Sequence, residues 1–182
     1  MNNLGYIAFL RGINVGGNNL IKMAELKICL EKAGIEDVKT YIQSGNVLFK
    51  SDETDSVKLS KKIETAIESI FKINVGVAVF SDKRWKTIIK NAPSNWGKDP
   101  AWKHNLFILL EPFNMDDVVK AIGEPRAGIE FITAGDGILY QSTSFKEFGK
   151  TTTSKLPGTP IYKRMTIRNY NTSVKLLALL ES

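Results

Sequence analysis

Apolar positions along this chain change period repeatedly, from continuous or alternating runs to a helical spacing and back. Tyr6 to Leu10 is an unbroken apolar run, and Leu4–Leu10 reads as a buried strand. Met23, Leu26, Leu30 and Ala33 recur at helical spacing and predict a helix over Lys22–Ala33, with Gly34 as its stop. Val38–Ile42 and Val47–Lys50 read as strands joined by the turn Gln43-Ser44-Gly45-Asn46. Leu59, Ile63, Ala66, Ile67 and Ile70 share one face of a helix over Ser56–Phe71. Val75–Phe80 is a valine-rich strand. The order β-α-β-β-α-β is that of the ferredoxin-like split unit.

The second half repeats this grammar. Before it, still within the first half, Ser81 can cap a short helix carrying Trp85, Ile88 and Ile89. Pro93, Gly97 and Pro100 then break the pattern between Asn91 and Lys103. Asn105–Leu110 reads as a strand. Asn114 can cap a short helix that stops at Gly123 before Pro125. Ile129–Ile132 and Ile138–Gln141 are strands around Gly135-Asp136-Gly137, a hairpin signal. An irregular basic stretch follows, then a helix from about Ser173 to Leu180 capped by Asn171 or Thr172. The expected fold is α+β: two ferredoxin-like halves, residues 1–92 and 104–182, with antiparallel sheets and helices covering a face of each. Residues 93–103 are expected to link them.

Composition changes this picture little. The 182 residues are 43% hydrophobic and 24% charged, as in an ordinary soluble protein. The net charge of +6 is uneven: seven bases and two acids between Thr143 and Ser182 leave +5 there. The lone cysteine, Cys29, excludes an internal disulfide and sits at helical spacing among apolar neighbours, as a packed thiol does. Met1 to Gly5 lack the basic flank of a signal peptide, and no apolar run approaches the ~18 residues of a membrane span. A cytoplasmic protein without a membrane partner is expected.

The chemistry gathers in loops. Arg11-Gly12-Ile13-Asn14-Val15-Gly16-Gly17-Asn18-Asn19 leaves the first strand directly. Glycines permit positive φ and close backbone approach, and Arg and Asn beside them suit an anion or a polar planar group. A β-α-β crossover makes the first two strands parallel, so this loop and the Gln43–Asn46 turn should leave the same sheet edge. Arg11, Asn14, Gly16, Gly17, Gln43, Ser44 and Asn46 are the ligand-binding candidates. The spacing Gly12-x-x-x-Gly16-Gly17 is neither a dinucleotide fingerprint nor a P-loop. A loop that merely turns from strand to helix would also need these glycines. Gly149-Lys150-Thr151 imitates the end of a P-loop, but Ser144 stands where its first glycine should.

Other positions say less. His104, the single histidine, lacks the companions of a metal site, and no metal or cofactor is expected. Asp116-Asp117 suits a helix N-terminus by its charge alone. Trp85, Trp96 and Trp102 could pack the two halves together or stack bases, and packing is the better reading for Trp85. Arg168 and Asn169 precede the last helix, whose amides and Lys175 would favour an anion, so these three join the candidates.

Taken together, Tyr6–Gly17, Met23-Ala24-Glu25-Leu26 and Tyr41–Phe49 resemble the bacterial domain-of-unknown-function family 1697. Ser154-Lys155-Leu156 and Thr166–Thr172 look like its closing motifs, with Tyr170 where tryptophan is expected. The resemblance implies a cytoplasmic bacterial α+β protein of two ferredoxin-like halves and names no activity. Three functions stay open. One is a binding protein for a phosphate-bearing ligand, nucleotide or nucleic acid, with Arg168 or Lys175 closing the cleft. Another is an enzyme acting on a small anionic metabolite there, with Tyr41 or Lys155 for acid–base work. The third is a protein-interaction module.

Overall fold

The computed structural model describes residues 4–182. They form two compact units, residues 4–86 with 176–182 and residues 87–175. The first unit contains β1 (Leu4–Leu10), α1 (Met23–Lys32), β2 (Glu36–Tyr41), β3 (Asn46–Ser51), α2 (Ser56–Phe71) and β4 (Val77–Ser81). Its sheet runs β2-β3-β1-β4 with every neighbouring pair antiparallel, so β1 is central and parallel to β2. This is the ferredoxin-like arrangement.

Alternation along the strands divides the core. Tyr6, Ala8, Leu10, Val47, Phe49, Val77 and Val79 face α1 and α2 and meet Leu26, Leu30, Leu59, Ile63 and Ile67. Each fully buried Leu or Ile contributes roughly 1.5–3 kcal/mol. Phe9 and Phe80 point to the opposite face, where Trp85 of α3 (Asp82–Lys90) meets them at 4.8 and 5.6 Å between ring centroids. Ser81 Oγ accepts from the Arg84 N–H at 3.3 Å, as expected of a cap. Asp55 caps α2 by accepting from the Val57 and Lys58 amides.

The second unit has β5 (Trp102–Leu109), α4 (Met115–Ile122), β6 (Glu130–Ala134), β7 (Ile138–Ser144), β8 (Met165–Asn169) and the start of α5 (Tyr170–Leu180). Its sheet runs β6-β7-β5-β8, again antiparallel throughout, and repeats the first unit's topology. Where the first unit has α2, this one has 3-10 turns at Phe145–Lys150, Thr153–Lys155 and Tyr162–Arg164. Pro157, Gly158 and Pro160 forbid a continuous helix there. Leu156 still reaches the core of Phe107, Leu109, Val118, Ile122, Leu139 and Met165.

Three expectations change. The basic stretch is not irregular throughout, because Met165–Asn169 pairs with β5 from Leu109↔Met165 to Asn105↔Asn169. The last helix begins at Tyr170, and Asn169 rather than Asn171 or Thr172 supplies the cap, its Oδ1 accepting from the Thr172 N–H at 2.8 Å. The break between the compact units falls at Lys86–Thr87. The expected linker, 93–103, lies inside the second unit, where Trp96 is buried and its Nε1 donates to the Asn105 carbonyl at 3.1 Å.

Candidate functional site

The two polar loops of the first unit meet at one edge of its sheet. The Leu10 N–H donates to the Gly45 carbonyl at 2.8 Å, and the Arg11 N–H to the Gly76 carbonyl at 2.8 Å. Asn14, at φ 53°, clamps the loops. Its Nδ2 donates to the Gln43 and Ile21 carbonyls, both at 2.9 Å, while its Oδ1 accepts from the Ile21 N–H at 2.8 Å. Asn tolerates this left-handed conformation better than most residues. Gly45 explains the close approach. At φ 75°, a Cβ there would lie 2.8 Å from both Ile13 Cδ1 and Leu10 Cβ.

The tip of the first loop is a tight turn in which the Asn18 N–H donates to the Val15 carbonyl at 3.0 Å. Gly16 and Gly17 sit at φ 59° and 79°, and a turn with positive φ at both central residues strongly favours glycine. Asn46 is buried and closes the second turn by donating from Nδ2 to the Tyr41 carbonyl and Ser44 Oγ. The structure thus brings Arg11, Asn14, Gln43, Ser44 and Asn46 into adjoining loops, with two of the amides engaged in bracing. Gly16, Gly17 and Gln43 are exposed, and Arg11 and Ser44 are half-buried. Val15, Leu20 and Ile42 are exposed apolar residues of the same two loops.

Arg168, Asn169 and Lys175 belong to the second unit. Arg168 points inward from β8 and is buried, with its Nη1 donating to Thr166 Oγ1 and the Ile167 carbonyl, both at 2.8 Å. Burial lowers its pKa to about 10, which still leaves the guanidinium charged at neutral pH. Asn169 carries the cap described above, and Lys175 is exposed on α5.

His104 Nε2 lies 2.9 Å from the Asp99 carbonyl, an acceptor, so this nitrogen carries the proton. Nδ1 is then placed to accept from Ser142 Oγ at 2.9 Å. Both ring nitrogens hold the turn before β5 against β7. Cys29 is buried, donates to the Ala66 carbonyl at 3.4 Å, and has its pKa raised by burial against the weaker opposite pull of Lys32. Among the described residues, no group of three or more His, Cys, Asp or Glu could hold a metal ion, and no helix is long and apolar enough to cross a membrane.

A concavity of about 490 Å³ in the second unit, unmarked by any motif, is lined by Lys98, Trp102, Lys103, His104, Phe145 and Tyr170 among others. Its signal was the adjacency of Trp102 and Lys103. Gly97 forms part of it, at φ 80°, and a Cβ there would run into the Tyr170 ring.

The profile of the proteins of unknown function DUF1697 matches residues 4–140. The chain belongs to the DUF1697 family. No curated protein matches it. Among solved structures it is similar to the conserved bacterial protein SP0830 from Streptococcus pneumoniae. The identity is 29%, the TM-score 0.87, and the match covers 98% of this chain and 99% of that one. The fold and the recurrence of two similar halves agree with this match, while the DUF1697 family by its own description has no assigned function.

Proposed function

We propose that the paired loops of the first unit bind a phosphate-bearing ligand, a nucleotide or a nucleic acid. The observation that carries this reading is the Asn14 clamp. Its amide ties the Arg11–Asn19 loop to the Gln43 carbonyl, so the Gly16–Gly17 turn, Gln43, Ser44 and Arg11 are held on one preorganised edge. Positive-φ glycine peptides at an exposed tip suit an anion, which accepts from backbone N–H groups. Arg11 supplies the charge-assisted partner, and such a bond is worth about 1.5–3 kcal/mol net.

Calorimetric titration with pyrophosphate and ATP tests this directly. Arg11→Ala should weaken binding roughly 10- to 100-fold, since each tenfold is about 1.4 kcal/mol. The melting temperature should hardly move. A variant that melts much earlier yet binds as well as the wild type would make Arg11 a brace of the loop and end the reading.

The exposed Val15, Leu20 and Ile42 favour a second reading, a protein-interaction edge. Leu20→Glu separates the two. It abolishes association with a protein partner on the second reading and leaves pyrophosphate affinity intact on the first.

A further inference from the structure

The second unit carries an exposed aromatic surface beside its concavity. Phe145 is 60% exposed, Phe131 49% and Phe148 45%, and exposed apolar residues that share a patch can mark an interaction site. The strand register explains the gathering. Trp102 opens β5 opposite Ser144, so Phe145 follows directly, its N–H bonded to the Ala101 carbonyl. Phe131 of β6 pairs with Ser142 of β7, which in turn faces His104 of β5. That places Phe131 on the same sheet face as Trp102, and the two rings pack at 5.2 Å with 32° between their planes.

Cations border the concavity. Lys103 Nζ lies 4.5 Å from the centroid of Phe148, a cation–π contact. Lys98 lines the concavity with Lys103, and Lys146 and Lys150 share the 3-10 turn of Phe145 and Phe148. Two acids are present as well. Glu147 pairs with Lys150 at 2.7 Å, and Asp99 turns a carboxylate oxygen onto the Ala101 N–H at 2.8 Å. The lysines lining the concavity therefore outnumber its one acid, which is partly engaged.

We propose that this face of the second unit binds single-stranded nucleic acid, with bases stacking on Trp102, Phe131 and Phe145 and the backbone tracking Lys98 and Lys103. Solvent-accessible rings offer a π-face to any base, and the neighbouring lysines neutralise phosphates. Duplex DNA keeps its bases stacked on one another, so it offers these rings nothing beyond its charge. The proposal uses a different site from the loops of the first unit and stands without them.

Fluorescence titration of the full chain with (dT)12 tests it. Trp85 and Trp96 are buried, so quenching reports on Trp102. The oligonucleotide should quench, and its affinity should fall linearly with log salt. Replacing Lys98→Gln with Lys103→Gln should flatten that slope by about 0.7 per lysine. Phe145→Ala, a change at an exposed ring, should weaken binding about tenfold with the melting temperature unmoved. Any of four results overturns the proposal. These are no binding at low salt, equal affinity for a duplex of the same length, indifference to the Phe145 and lysine variants, and a loss produced by Arg11→Ala alone. Self-association that Phe145→Ala abolishes, in place of oligonucleotide binding, would instead assign the surface to a second copy.

Discussion

Asn14→Ala should destabilise the first unit's loop edge by about 3–4 kcal/mol. The wild-type side chain makes three hydrogen bonds, to the Ile21 carbonyl, the Gln43 carbonyl and the Ile21 N–H, at 2.8–2.9 Å. Each contributes about 0.5–1.5 kcal/mol net, and the one to Gln43 is exposed and belongs at the low end. That makes roughly 2–3 kcal/mol. Alanine at φ 53° adds roughly 1 kcal/mol, because its Cβ crowds the carbonyl in the left-handed region. Asn14→Gly loses the same hydrogen bonds without that crowding and should recover about 1 kcal/mol relative to alanine. Asn14→Asp keeps an acceptor for the Ile21 N–H but sets a carboxylate oxygen against two carbonyls, and should be no better than alanine. Urea unfolding gives the comparison through the midpoint at constant m-value. An alanine variant within about 0.5 kcal/mol of wild type, or a glycine variant no better than alanine, would refute the clamp.

Gly97→Ala should cost more than about 2 kcal/mol in the same assay, because the new Cβ meets the Tyr170 ring and the residue must hold φ 80°. Cys29 should resist a small aromatic disulfide reagent in the native protein and react at once in denaturant, since it is buried with a raised pKa; rapid native labelling would count against its packing. Tyr140 donates to the Ile88 carbonyl at 2.5 Å, and burial, then the Asp136 charge, push its pKa up to about 12. Its folded pKa lies above the unfolded value near 10, so this stability is fully present below pH 10 and lost as pH rises through about 12. Alkaline titration of tyrosinate absorbance should show a late step that Tyr140→Phe removes.

The first unit was legible because its signals are local. The run Tyr6–Leu10 alternates between two buried faces, and Gly34 and the Gln43–Asn46 turn punctuate it where the chain does reverse. Crossover handedness then sufficed to put the two loops at one edge, as the Asn14–Gln43 bond shows. Strand β8 was not legible, because an arginine at an inward position reads as a solvated charge. Its burial depends on Thr166 and on pairing with β5, some sixty residues away in sequence. The stretch around Gly97 has the pattern of a linker for a related reason. Proline and glycine there mark a turn, and nothing local says that the glycine makes room for Tyr170. Asn14 and Asn46 stand among the ligand-binding candidates, yet both amides brace the loops, because a sequence pattern cannot distinguish an amide aimed at a ligand from one aimed at a carbonyl.

Phosphate is the ligand proposed for the paired loops of the first unit. Amide chemical shifts of ¹⁵N-labelled protein, followed during titration with ATP, test it most directly. Gly16, Gly17, Gln43 and Ser44 should shift saturably, and less in Arg11→Ala at the same ATP concentration. Shifts confined to other residues, or none at saturating ATP, would contradict it.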